Sequence, residues 1–257
     1  MADPDRDAPP QASPSQSDLV IDGVKQMIIS GRLGPGSRLP IEKDLAARLG
    51  VSRGSLREGV RSLAALGVLE TRQGDGTYVT SLDPSELFTP LGFFADLQTS
   101  ADAADLLGTR RILETESAGR AALRIGEQGL AELSDILAGV DGLLAVPDVD
   151  LEAFIEADSS FHRTIAAASG SRTLAALIDS LVGRTFRARL WRAISERDSL
   201  QEAQDEHRAI LAELALHDPD RARIRMAAHL LGVEEYASDH PAAAISTSDP
   251  DSETELQ

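Results

Sequence analysis

From Pro84 to about residue 236 the large apolar residues recur at helical spacing, and no stretch alternates apolar and polar residues for long enough to make a strand. That regularity restricts this part of the chain to helices packed on helices. Leu130, Leu133, Ile136, Leu137, Val140 and Leu144 form one stripe, and comparable stripes run through 102–125, 149–168, 172–195, 199–216 and 219–236. Pro147 and the region of Gly170 interrupt them, while Asp218-Pro219 supplies a cap followed by a residue suited to the first helical turn. The expectation is an antiparallel all-α bundle of six or seven helices over 83–236.

The preceding segment, 17–82, is patterned differently. Val20, Ile21, Val24, Met27 and Ile28 share one helical face, which ends at Gly31 and the turn Gly34-Pro35-Gly36. A second helix fits 41–49 and stops at Gly50. A third follows at once, with Ser52 as its N-cap because its hydroxyl can accept a bond from an amide that has no partner in the helix. Val68 to Arg72 and Thr77 to Thr80 read as short strands joined by Gly74-Asp75-Gly76, a hairpin signal. Three helices with a tight second turn and a terminal hairpin describe a winged helix-turn-helix, which places its last helix in the DNA major groove. At 100° per residue Arg53, Arg57 and Arg61 fall within an arc of roughly 80°, beside the apolar ridge Leu56, Val60 and Leu63. Arg53 lies in the first turn, where the helix dipole disfavours a cation unless a phosphate or guanine offsets it.

Charge follows the same division. The 257 residues carry 25 Lys or Arg and 42 Asp or Glu, a net of −17. Residues 17–82 hold nine basic and seven acidic groups, whereas 83–257 hold fifteen and 32. The acidity belongs to the C-terminal part, and such asymmetry marks one half as able to face nucleic acid. Cys is absent, which excludes disulfides, thiolate zinc sites and cysteine nucleophiles. No apolar run approaches the ~18 residues of a membrane span, and Met1 to Ser17 is polar and acidic, so a cytoplasmic protein with no membrane partner is expected. Residues 1–16 carry four Pro and three Asp and are expected to form a disordered arm. The run 237–257 offers only Ile245 and Leu256 as large apolar groups and is expected to be a disordered tail.

The stretches Gly34-Pro35-Gly36-Ser37-Arg38-Leu39-Pro40, Glu42-Lys43-Asp44-Leu45-Ala46, Val51-Ser52-Arg53, Leu56-Arg57-Glu58, Leu66-Gly67-Val68-Leu69 and Gly74-Asp75-Gly76-Thr77-Tyr78-Val79 resemble the DNA-binding domain of the GntR family of bacterial regulators. The resemblance implies that Lys43, Ser52, Arg53, Ser55, Arg57 and the wing residue Gly76 stand at DNA-contacting positions, with Arg38 a phosphate partner. Lys43 stands where Arg is usual, and Gly54 replaces the usual Thr. Lys lacks the planar fork that reads guanine, so Arg53 and Arg57 are the expected base readers.

In the helical part the informative residues are polar groups on apolar stripes. Asp158 and His162, one turn apart, lie among Leu151, Phe154, Ile155, Phe161 and Ile165. His207 lies on the seam Leu200, Ala203, Ile210, Leu214, and His229 between Met226 and Val233. A lone buried carboxylate would cost several kcal/mol, so a partner is required. One divalent metal would satisfy all four; the competing account is that each His is a satisfied core residue and Asp158 pairs with His162. Arg110 lies with Leu106, Leu107, Leu113 and Ser117, either paired with Glu114 at i+4 or as a fork awaiting a carboxylate.

Arg110-Arg111-Ile112-Leu113-Glu114, Asp158-x-x-Phe161-His162, Glu206-His207-Arg208-Ala209-Ile210 and Ala228-His229-Leu230 look like the FCD effector domain of the FadR subgroup. This resemblance implies a metal held by Asp158, His162, His207 and His229, with Arg110 near a bound organic acid. A three-His, one-carboxylate set suits Zn²⁺ first, then Ni²⁺ or Mn²⁺. The expected function is a homodimeric regulator that binds a palindromic DNA operator and answers a small organic acid. A metal-dependent hydrolase and a winged-helix protein-binding adaptor are the alternatives. Against the hydrolase stands the lack of a base on the same seams, since Glu206 points about 100° away from His207.

Overall fold

The computed structural model describes residues 14–88, 90, 103–182, 194 and 198–240. The chain divides into two compact units, Met1–Leu87 and Phe88–Gln257.

The first unit is a winged helix-turn-helix built from α1 (Gln16–Ile29), α2 (Glu42–Leu49), α3 (Arg53–Ala65), β1 (Leu69–Arg72), β2 (Gly76–Val79) and a short α4 (Pro84–Leu87). Helix α1 begins inside the segment expected to be a disordered arm. Ser15 Oγ accepts the Asp18 N–H while the Asp18 carboxylate accepts the Ser15 N–H, a reciprocal cap that draws Gln16 into the helix. Gly50 adopts φ 68° and closes α2, which permits the tight turn into α3. Ser52 caps α3 as expected, accepting from Ser55 N at 3.1 Å. Gly59 brings α1 and α3 together, for a Cβ there would lie 2.6 Å from Val20. Val20, Val24, Met27, Leu45, Leu56, Leu63, Leu69 and Val79 form the core beneath. The strands pair antiparallel, Leu69 opposite Val79 and Arg72 opposite Gly76, and Arg38 bridges to Tyr78.

The second unit is all-α among its described residues: α5 (Ala103–Ala122), α6 (Glu127–Leu144), α7 (Leu151–Ala168), α8 (Arg172–Val182), α9 (Asp198–Ala215) and α10 (Pro219–Asp239). Asp218 caps α10 by accepting from the amides of Asp220 and Arg221, with Pro219 next. Helices α5 and α10 run antiparallel, tied by Arg111 to Glu234 near one end and Arg223 to Glu116 near the other. Helix α10 also runs on through Ala237–Asp239, which were expected in the disordered tail, because Tyr236 and Ala237 are buried. Phe161, Ile165, Ile210, Leu214, Met226 and Leu230 meet Leu133 and Leu137 in the central core. The expected arm over 1–13, the expected helix beyond Val182 (Ile194 apart) and the tail beyond His240 lie outside the described residues. Among the described residues no helix is long and apolar enough to cross a membrane.

Candidate metal centre and nucleic-acid interface

Three helices bring four chelating side chains together. Helix α7 presents Asp158 and His162, α9 presents His207, and α10 presents His229, each buried to within 6% exposure. One ligand atom from each lies within 4.8 Å of all the others. His162 Nε2 is 3.9 Å from Asp158 Oδ1, His207 Nε2 is 3.5 Å from the same oxygen, and His207 Nε2 is 3.1 Å from His229 Nε2. Ligand atoms about 2.0–2.1 Å from a zinc ion in a tetrahedral array stand about 3.3 Å apart; these three separations bracket that value, and the wider pairs, up to 4.8 Å, close on an ion by side-chain rotation. The donor set therefore fits a single divalent ion, and phenyl packing by Phe161, 4.5 Å from the His207 ring, closes one side.

Two carboxylates back the cluster. Glu114 on α5 contacts His162 Nδ1 through Oε2 and accepts Arg110 Nε–H through Oε1 at 2.7 Å. Arg110 and Glu114 are 0% and 2% exposed, so the i+4 pair exists but is a buried one. Burial alone would push the Glu114 carboxyl up; the adjacent Arg110 and His162 win and hold it below its usual range. Glu206 on α9, half-exposed, accepts from His229 Nδ1 at 2.7 Å. Burial depresses the His229 pKa, opposed by that bond to Glu206. Glu206 does point away from His207 on its own helix, yet it reaches the cluster through the imidazole of the neighbouring one. His217 and His240 stay apart: His217 donates from Nδ1 to the Ala122 carbonyl at 2.7 Å, and His240 stacks on Tyr236 just past α10.

On the first unit the cations are exposed. Arg53 and Lys43 form no hydrogen bond or ion pair among the described residues, and both face solvent. Arg57 is also exposed, but its Nε and Nη2 grip Glu42 of α2 at 2.9–3.1 Å. Ser52 and Ser55 are engaged by α1, for Gln16 Oε1 accepts from Ser52 N at 3.3 Å and from Ser55 Oγ at 3.1 Å. Arg38 lies flat on Gly76, donating to the Asp75 carbonyl. Gly76 has φ 143°, and a Cβ there would come within 2.7 Å of Arg38 Nε, so both backbone and space require glycine. Arg38, Arg57, Arg61, Arg72 and Gly76 line one cleft of about 650 Å³ between α3 and the wing. Arg53, Lys43, Ser52 and Ser55 are not part of its lining. Gln16 and Glu42, to which the sequence pattern assigns no such contact, reach these residues from α1 and α2.

Comparison with known proteins finds a family for each of the two units. A family described as "Bacterial regulatory proteins, gntR family" matches residues 16–79, and one described as "FCD domain" matches 105–232. The HTH-type transcriptional regulator LutR of Bacillus subtilis is 33% identical over 217 residues, covering 82% of this chain and 96% of that one. The Glc operon transcriptional activator of Escherichia coli is 33% identical over 173 residues, 66% of each chain. The solved structure of a Streptococcus agalactiae GntR protein superposes with a TM-score of 0.63 at 27% identity, covering 85% of this chain and 99% of that one. These relatives regulate transcription and are not enzymes, which removes the hydrolase alternative. A winged helix with exposed arginines followed by a helical bundle around buried histidines thus belongs to the GntR family of DNA-binding transcriptional regulators, in its FCD-domain branch.

Proposed function

We propose that the protein is a homodimer that grips a palindromic operator and changes its grip when a small organic acid binds beside a divalent metal. The observation that carries this reading is the convergence of Asp158, His162, His207 and His229 from three helices onto one buried point. Zn²⁺ suits that donor set best, with Ni²⁺ or Mn²⁺ as substitutes. A metal held by these four residues would supply a Lewis-acidic position suited to a carboxylate oxygen. Arg110, already tied to Glu114, places a guanidinium within the same network. On the first unit Arg53 and Arg57 read bases, Lys43, Ser52, Ser55 and Arg38 hold phosphates, and Gly76 lets the wing approach the duplex.

Operator titrations of metal-loaded protein against a panel of short carboxylic acids test the proposal. At least one acid should shift operator affinity 5- to 150-fold, the usual range for coupling of about 1–3 kcal/mol. Indifference to every acid would remove the sensor half. Affinity that ignores salt would remove phosphate binding and favour the adaptor alternative.

Self-association is supported by the outer face of α5 and α10, where Ile112, Ile224 and Leu231 are 68%, 66% and 41% exposed. Leu231→Glu should shift the protein to a monomer in sedimentation and weaken operator binding. A dimer of unchanged stability would move the interface elsewhere.

A further inference from the structure

We propose that Glu206 and Glu114 are positioning residues of the cluster, each fixing one imidazole so that its Nε2 turns towards the shared ligand point. The inference rests on the metal reading above and adds two residues to it. A histidine that ligates through Nε2 must carry any remaining ring proton on Nδ1, whereas the free histidine side chain in water favours the opposite tautomer. The proton position is set by whatever Nδ1 bonds. Glu206 Oε2 sits 2.7 Å from His229 Nδ1, and Glu114 Oε2 contacts His162 Nδ1. Glu206 therefore holds a proton on the outward nitrogen of His229 and leaves the inward one as a lone pair, and the anionic Glu114 against His162 Nδ1 favours the same tautomer there. In the metal-free protein the same logic makes His229 Nε2 the acceptor and His207 Nε2–H the donor in their 3.1 Å contact.

The two carboxylates differ in surroundings. Glu206 is 47% exposed and has no guanidinium partner among the described residues, whereas Glu114 is 2% exposed and neutralised by Arg110. Glu206 is thus the residue to vary, because its loss leaves no buried charge behind. Glu114 links Arg110 to His162 through one carboxylate, so a ligand that draws on Arg110 acts on a metal ligand without touching it.

Long-range proton–nitrogen correlation spectra of the metal-free full-length protein at pH 7.5 read the tautomers directly, and competition titration with Zn²⁺ reads affinity. Wild-type His229 should be in the Nδ1–H form. Glu206→Ala should move it towards Nε2–H and lower Zn²⁺ affinity 10- to 100-fold. Glu206→Gln, whose amide oxygen still accepts, should keep the tautomer and recover part of the affinity, which a purely structural role would not produce. For His162 the wild-type spectrum suffices, since substituting Glu114 strands Arg110. Bound Zn²⁺ with an unaltered tautomer and affinity in Glu206→Ala overturns this inference alone. A wild-type protein with the Nδ1–H tautomer that binds none of Zn²⁺, Ni²⁺ and Mn²⁺ overturns the metal reading and this role with it.

Discussion

The two candidate sites place their charged groups in opposite surroundings. Arg53, Arg57 and Lys43 face solvent on the first unit, whereas Asp158 and its three histidines are at most 6% exposed in the second. An exposed cation can wait for a partner in water at little cost, so the face that carries Arg53 and Lys43 is stable without one. A buried carboxylate and three imidazoles cannot wait in that way, and α5 and α9 supply Glu114 and Glu206 against two of the imidazoles. One site is finished by its ligand and the other is largely finished by the protein.

Paired substitutions break that contrast most sharply. His207→Ala should abolish tight Zn²⁺ binding while leaving the operator affinity of ligand-free protein nearly unchanged. Arg53→Ala should do the reverse, lowering operator affinity by about 1–3 kcal/mol if it reads a base and leaving the metal titration untouched. Calorimetry for the metal and fluorescence anisotropy for a labelled operator measure both variants. If His207→Ala protein with an intact circular dichroism spectrum also loses the operator, the sites are not separable and the division drawn above is wrong.

A smaller effect sharpens the comparison through pH. Burial depresses the pKa of His229 below its usual 6.5. Below that value the unfolded chain binds a proton that the folded chain resists, so the stability contributed by neutral His229 is present above 6.5 and is lost as pH falls towards the folded pKa. The slope reaches at most about 1.4 kcal/mol per pH unit for one such group. Glu114 is held low and gives the same sign, but only beneath its usual 4.5, outside this window. Urea midpoints of metal-free protein should therefore fall between pH 7 and pH 5, and His229→Gln should flatten that fall. Zn²⁺ affinity should fall over the same range because the ligands must be neutral. Equal affinity at pH 5 and 7.5 would exclude histidine ligation.

The buried site was more legible in the sequence than its surroundings suggest. Asp158, His162, His207 and His229 each interrupt an apolar stripe, and helices that bury those stripes against one another have to bring the interruptions together. Glu206 was not legible, because it lies off the stripe of its own helix and reaches His229 only through the packing of α9 on α10. On the first unit the motif residues and the Ser52 cap could be read directly, since capping is a local interaction. Gln16 fell within a segment whose composition suggests disorder, yet it accepts from Ser52 and Ser55 some 36 to 39 residues away. Local chemistry and periodicity survive in one dimension; contacts set by helix crossing do not.

The smallest expected effect concerns Glu42, whose grip on Arg57 gives one of the exposed cations a partner within the protein. Both side chains are more than half exposed, 62% for Arg57 and 51% for Glu42, so water and salt screen the pair and its loss should leave the melting temperature unchanged within error. Its consequence lies in binding instead. Arg57 lowers the Glu42 pKa, so the carboxylate is charged at neutral pH and, on the proposed reading, would compete with DNA for the guanidinium. Glu42→Gln keeps the shape and an acceptor oxygen but removes the charge. Operator affinity should rise several-fold as Arg57 becomes free to engage the duplex, and the gain should depend on the operator base that Arg57 meets. In an Arg57→Ala background the gain should vanish. Weaker operator binding by Glu42→Gln would instead mean that the carboxylate aims Arg57 at its base, and the exposed face would then be preorganised as the buried cluster is.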